Sequence, residues 1–317
     1  MIPPTRRRLL TIMGAAAGMA LAPSIGRTAA VLPRWRWRGN ALGAKAEMTL
    51  VHPDEATAKK LIRLAVDEVE RLENIFSLYR ENSEITRLNL DGHLDTPSPD
   101  LVTLLSTARQ VSELTDGAFD ITVQPLWRVY ANHFSKPGAD PNGPPAAAIE
   151  SARRLVDHRA LDIASSKIRF GRADMAITLN GIAQGYITDR VAELLHAHGI
   201  EQTLIDLGEI RSIGTNPNGR PWRVAIEGRS DHQTIDLIDR AIATSSPANT
   251  VFDAARNTHH LFEPKTGRPS AKARTTSVIA SSAILADSLS TAFSMMSPNK
   301  IAPISDRLPG ISIFRAR

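Results

Sequence analysis

The chain has 317 residues, 42% of them hydrophobic, with 38 Lys+Arg against 33 Asp+Glu for a net charge of +5, and no cysteine. Its length predicts one large domain or two ordinary ones, and its composition excludes a disordered or collagen-like protein. Without cysteine the chain has no disulfide, iron–sulfur cluster, thiolate zinc site, catalytic thiol or lipoprotein anchor.

The positive charge is concentrated at the N-terminus. Residues 1–30 contain four arginines and no acidic residue, which leaves 34 basic against 33 acidic side chains in the remainder. A nearly neutral remainder gives no support to nucleic acid as a partner, and none is expected.

Residues 1–30 have the composition of a twin-arginine signal peptide. A run of arginines at 6–8 precedes an uncharged stretch over 9–26 and small residues at 28–30. We expect export in a folded state to the periplasm, not as a lipoprotein. An N-terminal membrane anchor is the alternative, although the glycines and alanines of this stretch make a poor spanning helix.

Arginine and tryptophan alternate from Arg34 to Arg38. This basic and aromatic cluster suits either a membrane surface or a tail that leads into the first strand. We therefore divide the chain into the signal (1–30), a tail (31–40) and one catalytic domain (41–317).

The first predicted helices carry clear periodic patterns. Apolar residues recur at three- and four-residue spacing over 54–76. A second helix starts at Ser98-Pro99, where serine is a good N-cap, and ends before Gly117. The Pro- and Gly-rich segment 135–148 is the best candidate for a boundary between two lobes.

The second half of the domain mixes strands and helices. A helix over about 182–199 is predicted between strands near 174–179 and 203–207, several short strands across 221–280, and a last helix over about 284–297. Helices and strands segregate instead of alternating strictly, which favours the α+β class over a doubly wound parallel sheet.

Asp287 and Thr291 lie four residues apart on the last predicted helix, so a carboxylate and a hydroxyl share one face. Such an oxygen pair suits Mg²⁺, which completes its octahedron with water and phosphate oxygens. The alternative is an aspartate that interacts favourably with the helix dipole beside an incidental threonine.

Two further segments carry chemistry. Gly181 and Gly185 lie where a strand gives way to a helix, a position where backbone approaches phosphate. His260 is a candidate base near neutral pH. Its neighbour His259 does not suggest a metal pair, because adjacent strand residues point to opposite faces. Either histidine is otherwise an ordinary strand residue.

Six motifs in fixed order resemble the ApbE family of FAD:protein FMN transferases. The resemblance extends from about Leu42 to Met296. The motifs are Phe76–Asn89, Gly117–Leu126, Gly181–Asp189, Asp206–Gly208, His260–Pro269 and Ala286–Thr291.

The resemblance implies a two-lobed α+β fold with mixed or antiparallel sheets flanked by helices, and an FAD-binding cleft between the lobes. It implies an Mg²⁺-dependent transferase that attaches FMN from FAD to a Thr or Ser hydroxyl through a phosphodiester and releases AMP. The partners implied are FAD and a target protein carrying the acceptor hydroxyl, for which we expect a membrane-bound respiratory flavoprotein. A phosphoryl transfer needs positioning and charge neutralisation more than protein covalency.

The resemblance also assigns residues. It makes Asp287 and Thr291 metal ligands, with the Gly181 carbonyl as a third, and His260 is our candidate for the base. The residues expected to contact flavin or adenosine are Leu42, Tyr79, Ala118, Phe119, Asp120, Thr178, Gln184 and Leu261.

Relative to the family pattern, Leu42 replaces a methionine and two of these positions lose a charge. Thr178 replaces an acid and Gln184 replaces a charged residue. A neutral hydroxyl at 178 makes a weaker contact than a carboxylate. Two alternative functions therefore stay open: an FAD pyrophosphatase that yields FMN and AMP, and a non-catalytic FAD-binding carrier.

Overall fold

The structure, a computed structural model, describes residues 13–14, 32–41, 43–226, 234–253, 255 and 258–316. The strands are β1 (Met13–Gly14), β2 (Arg34–Ala41), β3 (Ala44–Val51), β4 (His93–Asp95), β5 (Leu161–Ile163), β6 (Lys167–Phe170), β7 (Thr203–Asp206), β8 (Ile210–Ile213), β9 (Trp222–Ala225), β10 (Thr234–Leu237), β11 (Ala241–Ser245), β12 (Phe262–Glu263), β13 (Arg268–Pro269), β14 (Thr276–Ala280) and β15 (Ser312–Arg315). The helices are α1 (Glu55–Phe76), α2 (Glu84–Asp91), α3 (Pro99–Leu114), α4 (Gln124–Phe134), α5 (Ala146–Arg153), α6 (Ala183–Ala197), α7 (Ala283–Met295) and α8 (Pro298–Ser305).

An eight-stranded antiparallel sheet forms the centre of the protein, in the order β1-β2-β3-β7-β8-β11-β14-β15. Helices α1, α6 and α7 contact this sheet, and the hairpin β9–β10 packs on its opposite face. Helices and antiparallel strands are thus segregated, which confirms the predicted α+β class.

Side-chain size along β11 decides how closely α7 approaches the sheet. Ala241 and Ala243 pack against Ala283 and Ala286 of α7, whereas Ile242 points to the hairpin face. Successive strand residues face opposite sides, so the small residues all lie under the helix. The close approach brings the end of β11 beside the middle of α7.

The predicted helices α1 and α3 form as the capping residues indicate. The Asp54 side chain accepts a hydrogen bond from the backbone of Thr57 at 2.8 Å, and Ser98 does the same for Leu101 at 3.2 Å. Beyond α3, Gly117 has a φ of +72° and donates its N–H to the Ser112 carbonyl at 2.8 Å. This left-handed position explains the glycine that ends the pattern.

The predicted strand near 174–179 is wrong, because this segment pairs with a side chain instead of a neighbouring strand. Asn89 accepts from the Ile177 N–H at 2.7 Å and donates to the Ile177 carbonyl at 2.8 Å. The Thr178 N–H donates to the Ile121 carbonyl at 2.8 Å. The backbone groups are satisfied without a sheet ladder, as burial requires.

The predicted tail at 31–40 is also wrong, because strand β2 begins at Arg34 inside it. Trp35 and Trp37 are only 8% and 4% exposed and belong to the main hydrophobic core. Arg36 and Arg38 lie on the other face and pair with Glu47 at 2.9 and 2.7 Å. The alternation of arginine and tryptophan is therefore the period-two pattern of a half-buried strand.

Two predictions about chain organisation stay predictions. The signal predicted for residues 1–30 lies outside the described residues except for Met13 and Gly14, whose backbone pairs with Arg36 and Trp35. Residues 135–145 connect α4 to α5, residues 146–148 of the predicted loop belong to α5, and both helices contribute to one hydrophobic cluster. In the part of the chain that the structure describes, no helix is long and apolar enough to cross a membrane.

Candidate active site

A cavity of about 850 Å³ opens where the turn after α3, the start of α6, the end of β11, the β12 region and α7 meet. The predicted site residues on its wall are Ala118, Phe119, Asp120, Thr178, Gly181, Gln184, His260, Leu261, Asp287 and Thr291. These residues are separated by up to 173 positions in the chain, and the fold brings them into one cavity. The predicted assembly of these motifs is therefore present.

The two helices beside the cavity hold each other through two carboxylates. Asp189 of α6 accepts from the backbone N–H groups of Ala283 and Ile284 at 2.8 and 2.9 Å, at the start of α7. Asp287 of α7 accepts from the N–H of Gly185 at 3.0 Å, in the first turn of α6. Each helix thus satisfies N–H groups of the other helix that have no partner within their own first turn.

Gly185 allows this contact because it has no Cβ atom. A Cβ at this position would lie 2.4 Å from the Ala283 carbonyl oxygen, which is backbone and cannot rotate away. On the far side, Arg211 pairs with Asp189 at 2.7 Å. The ion pair compensates the buried carboxylate of Asp189.

Asp287, Thr291 and Gly181 form one corner of the cavity. A Cβ on Gly181 would lie 2.8 Å from the Thr291 hydroxyl oxygen, so only glycine lets the two come this close. Thr291 lies one helical turn after Asp287, as the four-residue spacing predicts. The corner presents a carboxylate, a hydroxyl and a nearby backbone segment, which are oxygen donors of the kind that Mg²⁺ binds.

The electrostatics of Asp287 favour a cation in this corner. The side chain is 3% exposed, and burial, with a further contribution from Asp189, raises its pKa to about 7 even though the Gly185 N–H lowers it. A nearby positive charge would favour the ionised carboxylate. Among the described residues no group of three His, Asp or Glu side chains could hold a metal. A site with one carboxylate therefore fits a cation that keeps several other oxygen ligands.

His260 is oriented with one ring nitrogen free to accept a proton. Its Nδ1 lies 3.0 Å from the Thr250 carbonyl oxygen, which can only accept, so Nδ1 carries the hydrogen. In the neutral ring Nε2 then has the lone pair. Burial lowers the pKa of His260 below its usual 6.5, against a smaller opposing effect of the Thr250 carbonyl. This is the state that a general base requires.

The predicted flavin-contacting residues differ in burial and in hydrogen bonding. Phe119 and Leu261 are buried on the cavity wall. The Asp120 carboxylate also reaches the wall, but its oxygens accept from the Thr122 backbone and hydroxyl, at 2.8 and 2.6 Å, and from the His158 backbone. Asp120 therefore shapes this turn, and a direct contact to a ligand stays a prediction.

Tyr79 lies on an adjoining cavity of about 980 Å³ and is 85% exposed. The two cavities share Trp127, Asn180, Gln184, Asn249 and His260, so they adjoin each other, and we refer to the two together as the groove. An exposed aromatic ring at the mouth of a groove is placed to cover a flat ligand. Leu42, the remaining predicted contact, lies outside the described residues.

Thr178 and Gln184, the two positions that lose a charge of the family pattern, both face the cavity. The Thr178 hydroxyl accepts from the Asn180 backbone at 3.3 Å, which makes it part of the turn into α6. Gln184 packs against Gly208, where a Cβ would lie 2.3 Å from the glutamine amide nitrogen. Gly208 also has a φ of +105°, a left-handed conformation that favours glycine.

The structure adds wall residues that sequence reasoning missed. They are Trp127, Asn180, Glu209, Thr244, Ser245 and Asn249. Trp127 lies on α4 and contacts the Phe252 ring edge-on at a centroid distance of 5.4 Å. A tryptophan after Pro125-Leu126 was the available signal, but helical spacing alone cannot separate a cavity wall from a hydrophobic core.

Comparison with known proteins places this cavity in a family. A family model described as the ApbE family matches residues 42–314. An FAD:protein FMN transferase of Vibrio cholerae is 30% identical over 294 residues, which cover 87% of this chain and 86% of that protein. The enzyme of the same name from Escherichia coli K12 is 26% identical over 293 residues, or 88% of this chain and 80% of that protein.

Solved structures show the same fold. The apo form of the flavinyl transferase ApbE from Pseudomonas stutzeri aligns with a TM-score of 0.74 at 28% identity, covering 89% of this chain and 90% of that one. The flavin transferase ApbE from Vibrio cholerae aligns with a TM-score of 0.74 at 27% identity, covering 89% and 94%. The likeness therefore spans the sheet, the helices and the cavity together.

The buried charge of Asp287 predicts that an isosteric neutral residue stabilises the cation-free protein. At pH 8 without divalent cations, Asp287→Asn should raise the free energy of unfolding by about 1–4 kcal/mol, because the burial cost of this carboxylate exceeds what its one hydrogen bond from Gly185 offsets. Urea unfolding followed by circular dichroism measures this difference.

Addition of Mg²⁺ provides the contrast. It should stabilise the wild type, because a ligand that binds the folded state shifts the unfolding equilibrium, and should leave Asp287→Asn unchanged. Ser288→Ala, which removes a buried polar group one residue along α7, serves as the control and should respond to Mg²⁺ like the wild type. A destabilised Asp287→Asn would contradict the argument.

Proposed function

The chain belongs to the ApbE family, and we propose that it is an Mg²⁺-dependent FAD:protein FMN transferase that attaches FMN to a Thr or Ser hydroxyl of a target protein. The observation that carries this proposal is the shared cavity. It holds the oxygen corner of Gly181, Asp287 and Thr291 together with His260, in a chain that matches the family over 42–314.

The charge of the cavity supports the need for a cation. Asp120 and Asp287 are among the described residues that line it, and no lysine or arginine is. The pyrophosphate of FAD is itself negatively charged. Oxygen-lined acidic walls attract such a group only when a positive charge lies between them.

In the proposed complex, Asp287, Thr291 and the Gly181 carbonyl would hold Mg²⁺, which would supply the positive charge that the pyrophosphate needs in this cavity. When bound, Mg²⁺ neutralises phosphate charge and so supports displacement at phosphorus. Phe119 and Leu261 supply apolar wall, and Tyr79 covers the groove mouth. The backbone around Thr178 and Gln184 fixes the turn that faces the ligand.

The transfer exchanges one phosphorus–oxygen bond for another. The oxygen of the acceptor hydroxyl forms a bond to the FMN phosphorus, and the bond from that phosphorus to the bridging oxygen of AMP breaks. His260 Nε2 takes the hydroxyl proton, and AMP leaves with the bond electrons. The products are a protein–FMN phosphodiester and AMP, with no covalent enzyme intermediate required.

We propose that the target is a membrane-bound respiratory flavoprotein and that this protein meets it in the periplasm. The support for export is the sequence of residues 1–30, with its arginine run and uncharged stretch. The support for the target is analogy with the family alone.

The transfer reaction is tested by incubating the protein with FAD, Mg²⁺ and candidate targets. We expect covalent FMN on one Thr or Ser of a target, with one AMP per adduct, detected by in-gel fluorescence and mass spectrometry. Asp287→Ala should abolish the labelling. AMP and FMN without an adduct across the candidate targets would instead indicate an FAD pyrophosphatase, and bound FAD without either product would indicate a carrier.

The role of His260 predicts a distinctive pH profile. Because burial lowers its pKa below 6.5, the base stays deprotonated above that pH, and kcat/KM should fall only as pH drops below it. His260→Gln should reduce the transfer rate about 10²–10⁴-fold and remove this acid limb.

The neighbouring histidine provides a matched control. His259 is half-buried, and its Nδ1 accepts from the Leu261 N–H at 3.2 Å. His259→Asn keeps an acceptor near this atom and should retain both the rate and the acid limb. An unchanged pH profile in His260→Gln would remove His260 from the role of base.

If the protein is exported by the twin-arginine pathway, export should require the arginines at 6–8. Replacing Arg6, Arg7 and Arg8 by lysine keeps the charge, so only the twin-arginine signal is lost. Cell fractionation should then find the protein retained in the cytoplasm, whereas Arg27→Lys should still reach the periplasm. Equal periplasmic amounts of both variants would show that this pathway is not used.

A further inference from the structure

Three hydroxyl groups form a connected chain behind the oxygen corner of the cavity. Ser245 ends β11, while Ser290 and Thr291 are neighbours on α7. The Ser245 Oγ lies 2.7 Å from the Ser290 Oγ and 3.0 Å from the Thr291 Oγ1. Ser245 therefore bridges the two helix hydroxyls from the adjacent strand.

The donor and acceptor roles in this chain follow from its inner end. The Ser290 Oγ lies 2.9 Å from the Asp287 carbonyl oxygen, and because a carbonyl only accepts, Ser290 donates its single proton there. Ser290 is then an acceptor for Ser245, which donates its own proton to Ser290. Ser245 in turn accepts from Thr291. This is the one arrangement in which all three contacts are hydrogen bonds.

The arrangement determines what Thr291 presents to the cavity. Its proton points back to Ser245, so the remaining lone pairs of Oγ1 are free for a ligand on the side where Gly181 approaches. A hydroxyl that binds a cation must offer a lone pair and turn its proton away. A freely rotating hydroxyl would have to be ordered when the cation binds.

We propose that Ser245 and Ser290 are positioning residues that hold the Thr291 hydroxyl as an acceptor for a divalent cation. The inference rests on the proposed function, since it concerns the same corner that would hold Mg²⁺. It adds two residues whose hydroxyls orient Thr291. Groups behind metal ligands commonly orient them in this way.

The other serines of α7 show that the arrangement is specific. Ser288 donates to the Ile284 carbonyl at 2.7 Å, and Ser294 donates to the Thr291 carbonyl at 2.7 Å. Both bonds stay within the helix backbone and involve no hydroxyl of the corner. Ser288 is fully buried like Ser290, so it is a matched control for the loss of a buried hydroxyl.

The experiment measures Mn²⁺ binding to the FAD-free protein by the loss of the free-ion electron paramagnetic resonance signal. Ser245→Ala and Ser290→Ala should each weaken Mn²⁺ binding about 10–100-fold, as expected for loss of a group that orients a ligand. Ser245→Thr keeps the hydroxyl and should restore binding to near the wild-type value. Ser288→Ala should bind Mn²⁺ like the wild type.

Thermal unfolding of each variant checks that it folds. The two alanine variants interrupt the chain of hydroxyls from different elements, β11 and α7, so either variant tests the proposal if the other does not fold. Wild-type binding in both alanine variants would overturn the positioning role while leaving the proposed transferase intact. Failure of the wild type itself to bind Mn²⁺ and to transfer FMN would overturn the proposed function and this inference together. An equal loss in Ser288→Ala would show that general destabilisation, and not orientation, is responsible.

Discussion

The reciprocal contact between α6 and α7 is the constraint on which the cavity depends. Asp189 receives the first N–H groups of α7, Asp287 receives an N–H from the first turn of α6, and Gly185 leaves the space for both. Hydrogen bonds to charged groups contribute about 1.5–3 kcal/mol each, more than neutral ones. Because the turn before α6 forms one wall of the cavity and α7 forms another, this contact sets the width of the site.

The same contact has an electrostatic cost. Two aspartates lie near each other between the helices, and Arg211 pairs with only one of them. Burial raises the pKa of Asp189 too, but Arg211 and two N–H groups of α7 oppose this rise, whereas Asp287 has the one hydrogen bond from Gly185 and a pKa raised to about 7. Unequal compensation of this kind is typical of functional sites, where a buried group is completed by a ligand. The carboxylate that orders the helices is thus also the one that a cation would stabilise.

The sequence could predict those parts of the fold that depend on local patterns. Helices α1 and α3 follow from apolar periodicity and from the caps Asp54 and Ser98. The alternating arginines and tryptophans of β2 fit both a basic surface cluster and a half-buried strand. The period-two alternation is the feature that the strand requires. The extended segment at 175–179 was misassigned because its backbone partners are Asn89 and Ile121, and no local pattern indicates a side-chain partner 88 positions away.

The candidate site likewise contains residues that local patterns predict and residues that only the tertiary structure brings to the cavity. The spacing of Asp287 and Thr291 predicted one shared face, the sequence indicated His260 as a candidate base, and the family resemblance supplied the order of motifs. Ser245 reaches the cavity because small residues such as Ala243 let β11 pack close to α7, and Trp127 reaches it from α4. Such contacts require the tertiary structure, because local spacing does not separate either residue from an ordinary strand or core position.

The replacement of the family acid by Thr178 leaves the turn before α6 intact. The backbone of Thr178 is held by the Ile121 carbonyl, and its hydroxyl accepts from the Asn180 N–H, so the path of the turn does not require a carboxylate. A neutral hydroxyl makes a weaker contact to a ligand than a carboxylate does. It also places no negative charge on the cavity wall, so in the proposed complex a pyrophosphate would meet less repulsion at this position. We therefore expect the replacement to change ligand affinity without disturbing the oxygen corner or His260.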